Sequence, residues 1–177
     1  MEEIIPDRKV VKTSAGDTVP YDLLVLATGS DAVVPAHTPG HDAHGVFVYR
    51  TISDLQRLME FALMHKDTIG VTVGGGLLGL EAANAMTDLK TFRTVKLIDR
   101  NKWVLSRQLD GDAGALVTEK IRGLGLDVML RKRVATITTD NNNNVTGIIF
   151  EDGEIIECSC ICFAVRFSTR LSISALY

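Results

Sequence analysis

The stretch IGVTVGGGLLGLEAANAMTDL, residues 69–89, decides how this chain is read. Ile69 to Val73 is a short apolar run of strand type, Gly74-Gly75-Gly76-Leu77-Leu78-Gly79 fits G-x-G-x-x-G, and Leu80 to Leu89 has helical character. The pattern carries weight because it lies between a strand and a helix. Gly74 permits the tight turn, Gly76 lets the main chain approach a pyrophosphate, and Gly79 lets helix and strand pack closely. The helix N-terminus adds unpaired N–H groups and partial positive charge. Leu97-Ile98-Asp99 then ends a second strand on a carboxylate, and 99 − 79 = 20 is the spacing expected of an acid that binds a ribose. Together these features predict dinucleotide binding. The alternative is a glycine turn in a doubly wound sheet that binds nothing.

Working outward, Val95 to Ile98 is a strand, Ala113 to Leu124 a helix closed by Gly125, and Val128 to Leu130 a third strand. A β-α-β-α-β order implies parallel strands with right-handed crossovers. Val134–Thr138, Val145–Phe150 and Glu154–Glu157 read as an antiparallel meander, with Asn141 to Asn144 as a turn that tolerates the left-handed conformation. Ser159 to Val165 is a last apolar strand. Upstream, Lys9–Thr13 and Thr18–Tyr21 flank Ser14-Ala15-Gly16-Asp17 as a hairpin. Leu23 to Ala27 reads as a strand buried on both faces. After a loop with Pro35, Pro39, Gly40 and Gly45, a helix is expected to start near Ser53 with a capping box to Gln56 and an apolar stripe of Leu55, Leu58, Met59 and Ala62. The expected fold class is α/β, a Rossmann-type parallel sheet with a β-meander. A domain boundary is expected near His65 to Thr68.

Composition removes other classes. The chain has 177 residues, 22 acidic and 19 basic, for a net charge of −3. That balance lacks the basic footprint of a nucleic-acid binder. No apolar run approaches the roughly 20 residues of a membrane helix, and Met1-Glu2-Glu3 opens no secretory signal. Three cysteines are too few for a disulfide scaffold, which points to a cytoplasmic, reducing compartment.

Asp99 also bears on cofactor choice. A carboxylate accepts the hydroxyls of an NADH ribose and repels the 2′-phosphate of NADPH. Arg100, Lys102 and Arg107 follow closely and either neutralise a phosphate or form a solvated face. The expectation is NADH preferred, NADPH tolerated. Trp103 either flanks the adenosine or simply packs. Cys158, Cys160 and Cys162 alternate, placing all three thiols on one strand face as small buried hydrophobes. His37, His41 and His44 share one irregular loop, where solvated imidazoles are commoner than zinc ligands. No metal site is expected.

YDLLVLATGS, residues 21–30, and GGGLLGLEAA, residues 74–83, together resemble the FAD-dependent pyridine nucleotide-disulfide oxidoreductase superfamily, in which a nicotinamide domain is inserted into an FAD domain. TPGHDAHGVFVYRTISDL (38–55) and LIDRNKWVLSRQLDGDAG (97–114) are similar to the NAD(P)H/FAD region of fungal-type assimilatory nitrite reductases; ferredoxin and rubredoxin reductases share the core motifs. The resemblance covers about residues 10–165. It implies that Thr28 and Gly29 pack near FAD, that Gly74, Gly76, Gly79 and Asp99 bind NAD(P)H, and that Glu81 faces the flavin–nicotinamide junction. It also implies hydride transfer from nicotinamide to flavin, with sirohaem and an iron–sulfur cluster in a full-length relative reducing nitrite to ammonia.

On this resemblance 1–65 is a partial FAD-domain segment, 66–165 the NAD(P)H-binding domain, and 166–177 a tail that departs from the pattern. The chain holds one glycine fingerprint where the family has two, so the FAD site is expected to be incomplete and the isolated chain inactive, as from a truncated or misread gene model. No C-x-x-C occurs, so the dithiol of the disulfide reductases is not carried over. A non-catalytic nucleotide-binding fragment and a chain without a stable fold are the competing readings.

Overall fold

The computed structural model describes residues 2–164 and, for 167–169, the backbone. The expectations for Val165 and for the 166–177 tail otherwise lie outside the described residues. By contacts, Ala32–Phe167 forms one compact unit, and residues 2–31 belong to another.

In the smaller unit β1 (Glu3–Ile5), β2 (Val10–Lys12) and β3 (Thr18–Pro20) form an antiparallel sheet in that order, joined by the expected hairpin with Gly16 at φ +90°. Leu23 to Ala27 departs from expectation. It forms no strand, and Leu23 and Val25 are 85% and 77% exposed. An apolar run becomes a buried strand only where other strands accept its main-chain hydrogen bonds, and no described segment of this chain pairs with it. The chain next pairs at β4 (Ser30–Ala32).

The larger unit is built on a five-stranded, wholly parallel sheet. It contains β5 (Val46–Val48), β6 (Ile69–Val73), β7 (Thr94–Asp99), β8 (Asp127–Leu130) and β12 (Cys160–Phe163), in the order β5-β12-β6-β7-β8. Helices α1 (Ile52–Met64), α2 (Leu77–Asp88) and α3 (Gly111–Gly123) connect them. The meander, β9 (Val134–Thr139), β10 (Val145–Phe150) and β11 (Ile155–Glu157), is antiparallel as expected, and Asn143 takes φ +61° in its turn.

Side-chain alternation sorts the core into two layers. Leu58, Ala82, Ala83, Met86, Val95, Leu97, Cys160 and Cys162 pack with the helices. Val71, Ile98, Ile137, Ile148, Phe150, Ile161 and Phe163 pack with the meander. Adjacent residues of one strand thus serve opposite layers, as the two-residue period requires. Cys158 precedes β12 and joins the meander layer, so the three thiols do not share one face.

Strand β5 was not read from sequence. It is the sheet edge beyond β12, so the unit beginning at Ala32 takes in both β5 and α1, upstream of the boundary expected near His65. Three residues, Val46-Phe47-Val48, carry too little pattern to separate from a loop.

Helix α1 starts two residues earlier than expected. Thr51 is the cap, and its partner is Asp54 rather than Gln56. The Asp54 carboxylate accepts from the Thr51 N–H at 2.9 Å and from Thr51 Oγ1 at 2.8 Å, and the hydroxyl accepts from the Asp54 N–H at 3.2 Å. Arg57 adds an ion pair at 2.5 Å. A carboxylate is the stronger acceptor, which favours this box over the amide of Gln56. Leu58 and Ala62 are buried as expected, whereas Met59 is exposed. Burial pushes the Asp54 carboxyl up, but the Thr51 hydrogen bonds and Arg57 outweigh it, and the net direction is down. A depressed folded value means stability present above the unfolded pKa and lost as pH falls through the folded one. Asp54→Ala is therefore expected to cost about 1–2 kcal/mol at neutral pH. The gap to the parent should narrow in acid, once pH falls below the ordinary carboxylate range. Thermal melts at neutral and at acid pH check this.

Candidate dinucleotide site

In the order β5-β12-β6-β7-β8 the chain passes from β6 to β7 and β8 on one side, and returns after the meander to β12 on the other side of β6. Ligands of open α/β sheets bind outside the carboxyl ends of the strands at such a reversal. The glycine loop occupies that point, directly after β6 and opening α2.

The three motif glycines have different local reasons. Gly74 has φ +120°, a conformation that L side chains rarely adopt. At Gly79 a Cβ would collide with the Gly74 carbonyl oxygen and lie 2.7 Å from its carbon, so helix and loop touch main chain to main chain. At Gly76 a Cβ would meet nothing within 4 Å. Gly76 is also the N-cap of α2, in extended conformation at φ −83° and ψ −178°, and no side chain caps the helix. The first N–H groups of an α-helix lack intrahelical partners, so this end offers them to an anion.

Asp99 ends β7 beside the loop. Its Oδ2 accepts from the Gly75 N–H, and its Oδ1 accepts from the Asn101 N–H at 2.6 Å. The Gly75 carbonyl accepts from the Leu105 N–H at 2.7 Å. The segment after Asp99 is thus tied back onto the glycine loop. Arg100 and Arg107 lie on it, exposed and without an ion pair to any described residue. Leu77 is 65% exposed at the start of α2, and Leu78 is half-buried. Trp103 packs: its indole N–H donates to the Leu109 carbonyl at 3.2 Å, and a Cβ on Gly114 would lie 2.8 Å from Nε1.

Glu81 is exposed on α2. Burial pushes the Tyr49 phenol up, and Glu81 and Cys162 add to the shift. Tyr49, Asn101 and Leu105 were not singled out from sequence. The last two act through main-chain N–H groups, and Leu105 adopts φ +55°; neither property leaves a side-chain signal. Thr28, half-buried, and Gly29, at φ +73°, belong to the smaller unit. The structure therefore brings together Gly74 to Gly79, Asp99 and the following basic segment, with Glu81 just inside the helix.

In the histidine loop, His41 Nδ1 lies 3.1 Å from the Thr38 carbonyl. Among the described residues no group of three or more His, Cys, Asp or Glu is arranged to hold a metal ion. No helix there is long and apolar enough to cross a membrane.

A parallel sheet with a glycine loop at its reversal and an acid at the end of the neighbouring strand defines an α/β dinucleotide-binding protein. The chain belongs to the pyridine nucleotide-disulphide oxidoreductase family, whose model matches residues 1–175. It is 71% identical over 168 residues to nitrite reductase [NAD(P)H] of Emericella nidulans, covering 95% of this chain and 15% of that protein. Against the Neurospora crassa nitrite reductase [NAD(P)H] it is 55% identical over 163 residues, or 86% of this chain and 14% of that one. The chain thus spans about a seventh of these relatives. Among solved structures, a ferredoxin reductase of Rhodopseudomonas palustris superposes with a TM-score of 0.85 at 24% identity, covering 99% of this chain and 42% of that one. A water-forming NADH oxidase of Lactobacillus brevis, bound to NADH, superposes at 0.78 and 26%, covering 98% and 38%. The family's cofactors are FAD and NAD(P)H.

Proposed function

We propose that the chain is the NAD(P)H-binding part of an FAD-dependent oxidoreductase of the nitrite reductase type, cytosolic and preferring NADH. The observation that carries this is Gly76. Packing explains glycine at 79 and conformation explains it at 74, but no packing or conformation among the described residues requires it at 76. A phosphate approaching the start of α2 does. The reading keeps 66–165 as the nicotinamide part, with β5 completing its sheet.

Bound NADH supplies a hydride and bound FAD accepts it; the chain's own residues bind and orient. The free N–H groups at the start of α2 hold the pyrophosphate. Two lone-pair positions of the Asp99 carboxylate are taken by main-chain N–H groups, which leaves about two of four for ribose hydroxyls. Asp99 disfavours a 2′-phosphate, which Arg100 and Arg107 partly offset. Glu81 lies toward the nicotinamide side, and Thr28 and Gly29 contribute to the flavin site. Sirohaem and iron–sulfur partners belong to a full-length relative, and reduction of nitrite to ammonia is the activity proposed for that whole. Neither nucleic acid nor a membrane is a proposed partner.

A second reading is a dinucleotide-binding piece that transfers no electrons alone. The exposure of Leu23, Val25 and Leu26 favours it, because this apolar stretch has no strand partner among the described residues.

Titration with NADH, followed by Trp103 fluorescence, tests the proposal. The parent should quench saturably and Gly76→Val should not. The Tm of Gly76→Val should fall only by what a poorer N-cap costs, about 1 kcal/mol. No saturation in a parent that melts cooperatively, confirmed by calorimetry, would sink the dinucleotide reading. Flavin content after reconstitution separates the oxidoreductase component from the non-catalytic piece.

A further inference from the structure

The fingerprint G-x-G-x-x-G leaves its second position open, yet this chain has glycine there too. Gly75 is outside the left-handed region, so conformation does not demand it. Its surroundings do. A Cβ at position 75 would lie 2.8 Å from Asp99 Oδ2, 3.0 Å from its Cβ and 3.1 Å from its Cγ. The Gly75 N–H donates to that same carboxylate, and its carbonyl holds the Leu105 N–H.

We infer that Gly75 is a positioning residue for cofactor choice: its bare main chain lets Asp99 dock, and one residue fixes both the acid and the basic segment after it. This rests on the reading of the site as an NAD(P)H site. The Asp99 carboxylate is the mobile end of a side chain and turns away at little cost, but its Cβ is fixed to β7. The strand end is itself held, because the Gly74 N–H donates to the Ile98 carbonyl at 2.8 Å and the Lys132 N–H to the Asp99 carbonyl at 3.0 Å. A methyl group at 75 therefore turns the carboxylate off the Gly75 N–H and lifts the loop from the strand end. Leu105 moves with the loop, and so does the segment carrying Arg100 and Arg107. NADH loses an aligned acceptor for its ribose, while NADPH loses a repulsive charge.

The experiment measures dissociation constants for NADH and NADPH with the full 177-residue chain, for the parent, Gly75→Ala, Asp99→Gly and the double variant. Gly75→Ala should weaken NADH about tenfold, the scale of one hydrogen bond to a charged group, and change NADPH less than about threefold. On Asp99→Gly, adding Gly75→Ala should change neither by more than about threefold, because the partner is gone. An unchanged NADH-to-NADPH ratio in Gly75→Ala overturns the inference while the dinucleotide reading stands. So does a tenfold loss that persists on Asp99→Gly, since the methyl group would then obstruct the nucleotide directly. A parent that binds neither nucleotide overturns both. Should Gly75→Ala fail to melt cooperatively, the Gly75 amide of the parent decides: protection from hydrogen exchange that is lost in Asp99→Gly supports the docking, and free exchange in the parent overturns it.

Discussion

Gly79→Val is expected to lower the Tm by about 10 °C and to abolish NADH binding. A Cβ at position 79 falls on the Gly74 carbonyl oxygen, with the Gly74 carbonyl carbon at 2.7 Å and its Cα at 3.5 Å. All three atoms are main chain, so no rotamer relieves the collision. Gly74 has little room to retreat, since its N–H donates to the Ile98 carbonyl at 2.8 Å and its φ of +120° closes the turn. Gly79 is itself buried in α2, whose Ala82, Ala83 and Met86 form the helix-side core. Overpacking of a core costs about 1–3 kcal/mol where side chains can shift, and this site belongs at or above the upper end because they cannot. A chain of this size loses roughly 2–4 °C per kcal/mol. Thermal melts beside Gly76→Val form the check. The two substitutions lie three residues apart, at the cap and in the first turn of α2, and the melts are expected to separate them: lost binding with a nearly normal melt at 76, lost binding with a depressed melt at 79. A Gly79→Val chain melting within about 2 °C of the parent would mean that helix and loop do not touch as described.

The second large effect concerns the thiols. Burial pushes Cys158 and Cys162 up to about 12, with Asp54 adding to the shift at Cys162, and pushes Cys160 well above its ordinary value. Against an ordinary 9.0, 12 − 9 = 3, so thiolate is about a thousandfold scarcer at neutral pH than in a free cysteine. All three cysteines are free and buried. Ellman's reagent should therefore label none of them in the native chain and all three in guanidinium. Native labelling of any thiol within about tenfold of its denatured rate would contradict the burial. The sign of the linkage follows. A raised folded value stabilises fully below the unfolded pKa and ceases to as pH rises through the folded one, so stability should fall between about pH 9 and pH 12. A family named for disulphide chemistry thus has, in this chain, cysteines that serve as core.

The glycine motif, the strand before it and the acid 20 residues beyond its last glycine were legible because each answers to a local rule, of turn, helix start or strand period. Strand β6 has the bounds expected, and α2, β7, α3 and β8 differ from their expected ends by a few residues. The misses have a common cause. Leu23 to Ala27 looked like a buried strand because apolar runs usually are, yet burial depends on partners that local sequence does not name. Strand β5 was missed for the converse reason: three residues become a strand because β12 lies beside them. The cap of α1 went to Thr51 and Asp54 because a carboxylate reached both the N–H and the hydroxyl.

The sequence by itself determined the class of the fold, the place of the glycine loop at a helix start and the acid at the end of the next strand, since these follow from residue types at fixed spacing. Only the tertiary structure decided what each glycine is for. Distances across the loop show Gly79 pressed against Gly74, Gly75 against Asp99, and Gly76 with no atom of the described residues within 4 Å of its missing Cβ. It also decided which core layer each cysteine serves and which strand forms the sheet edge. Approach between segments distant in sequence is a property of the packed chain, and a pattern of letters records that glycine is present without recording what comes close to it.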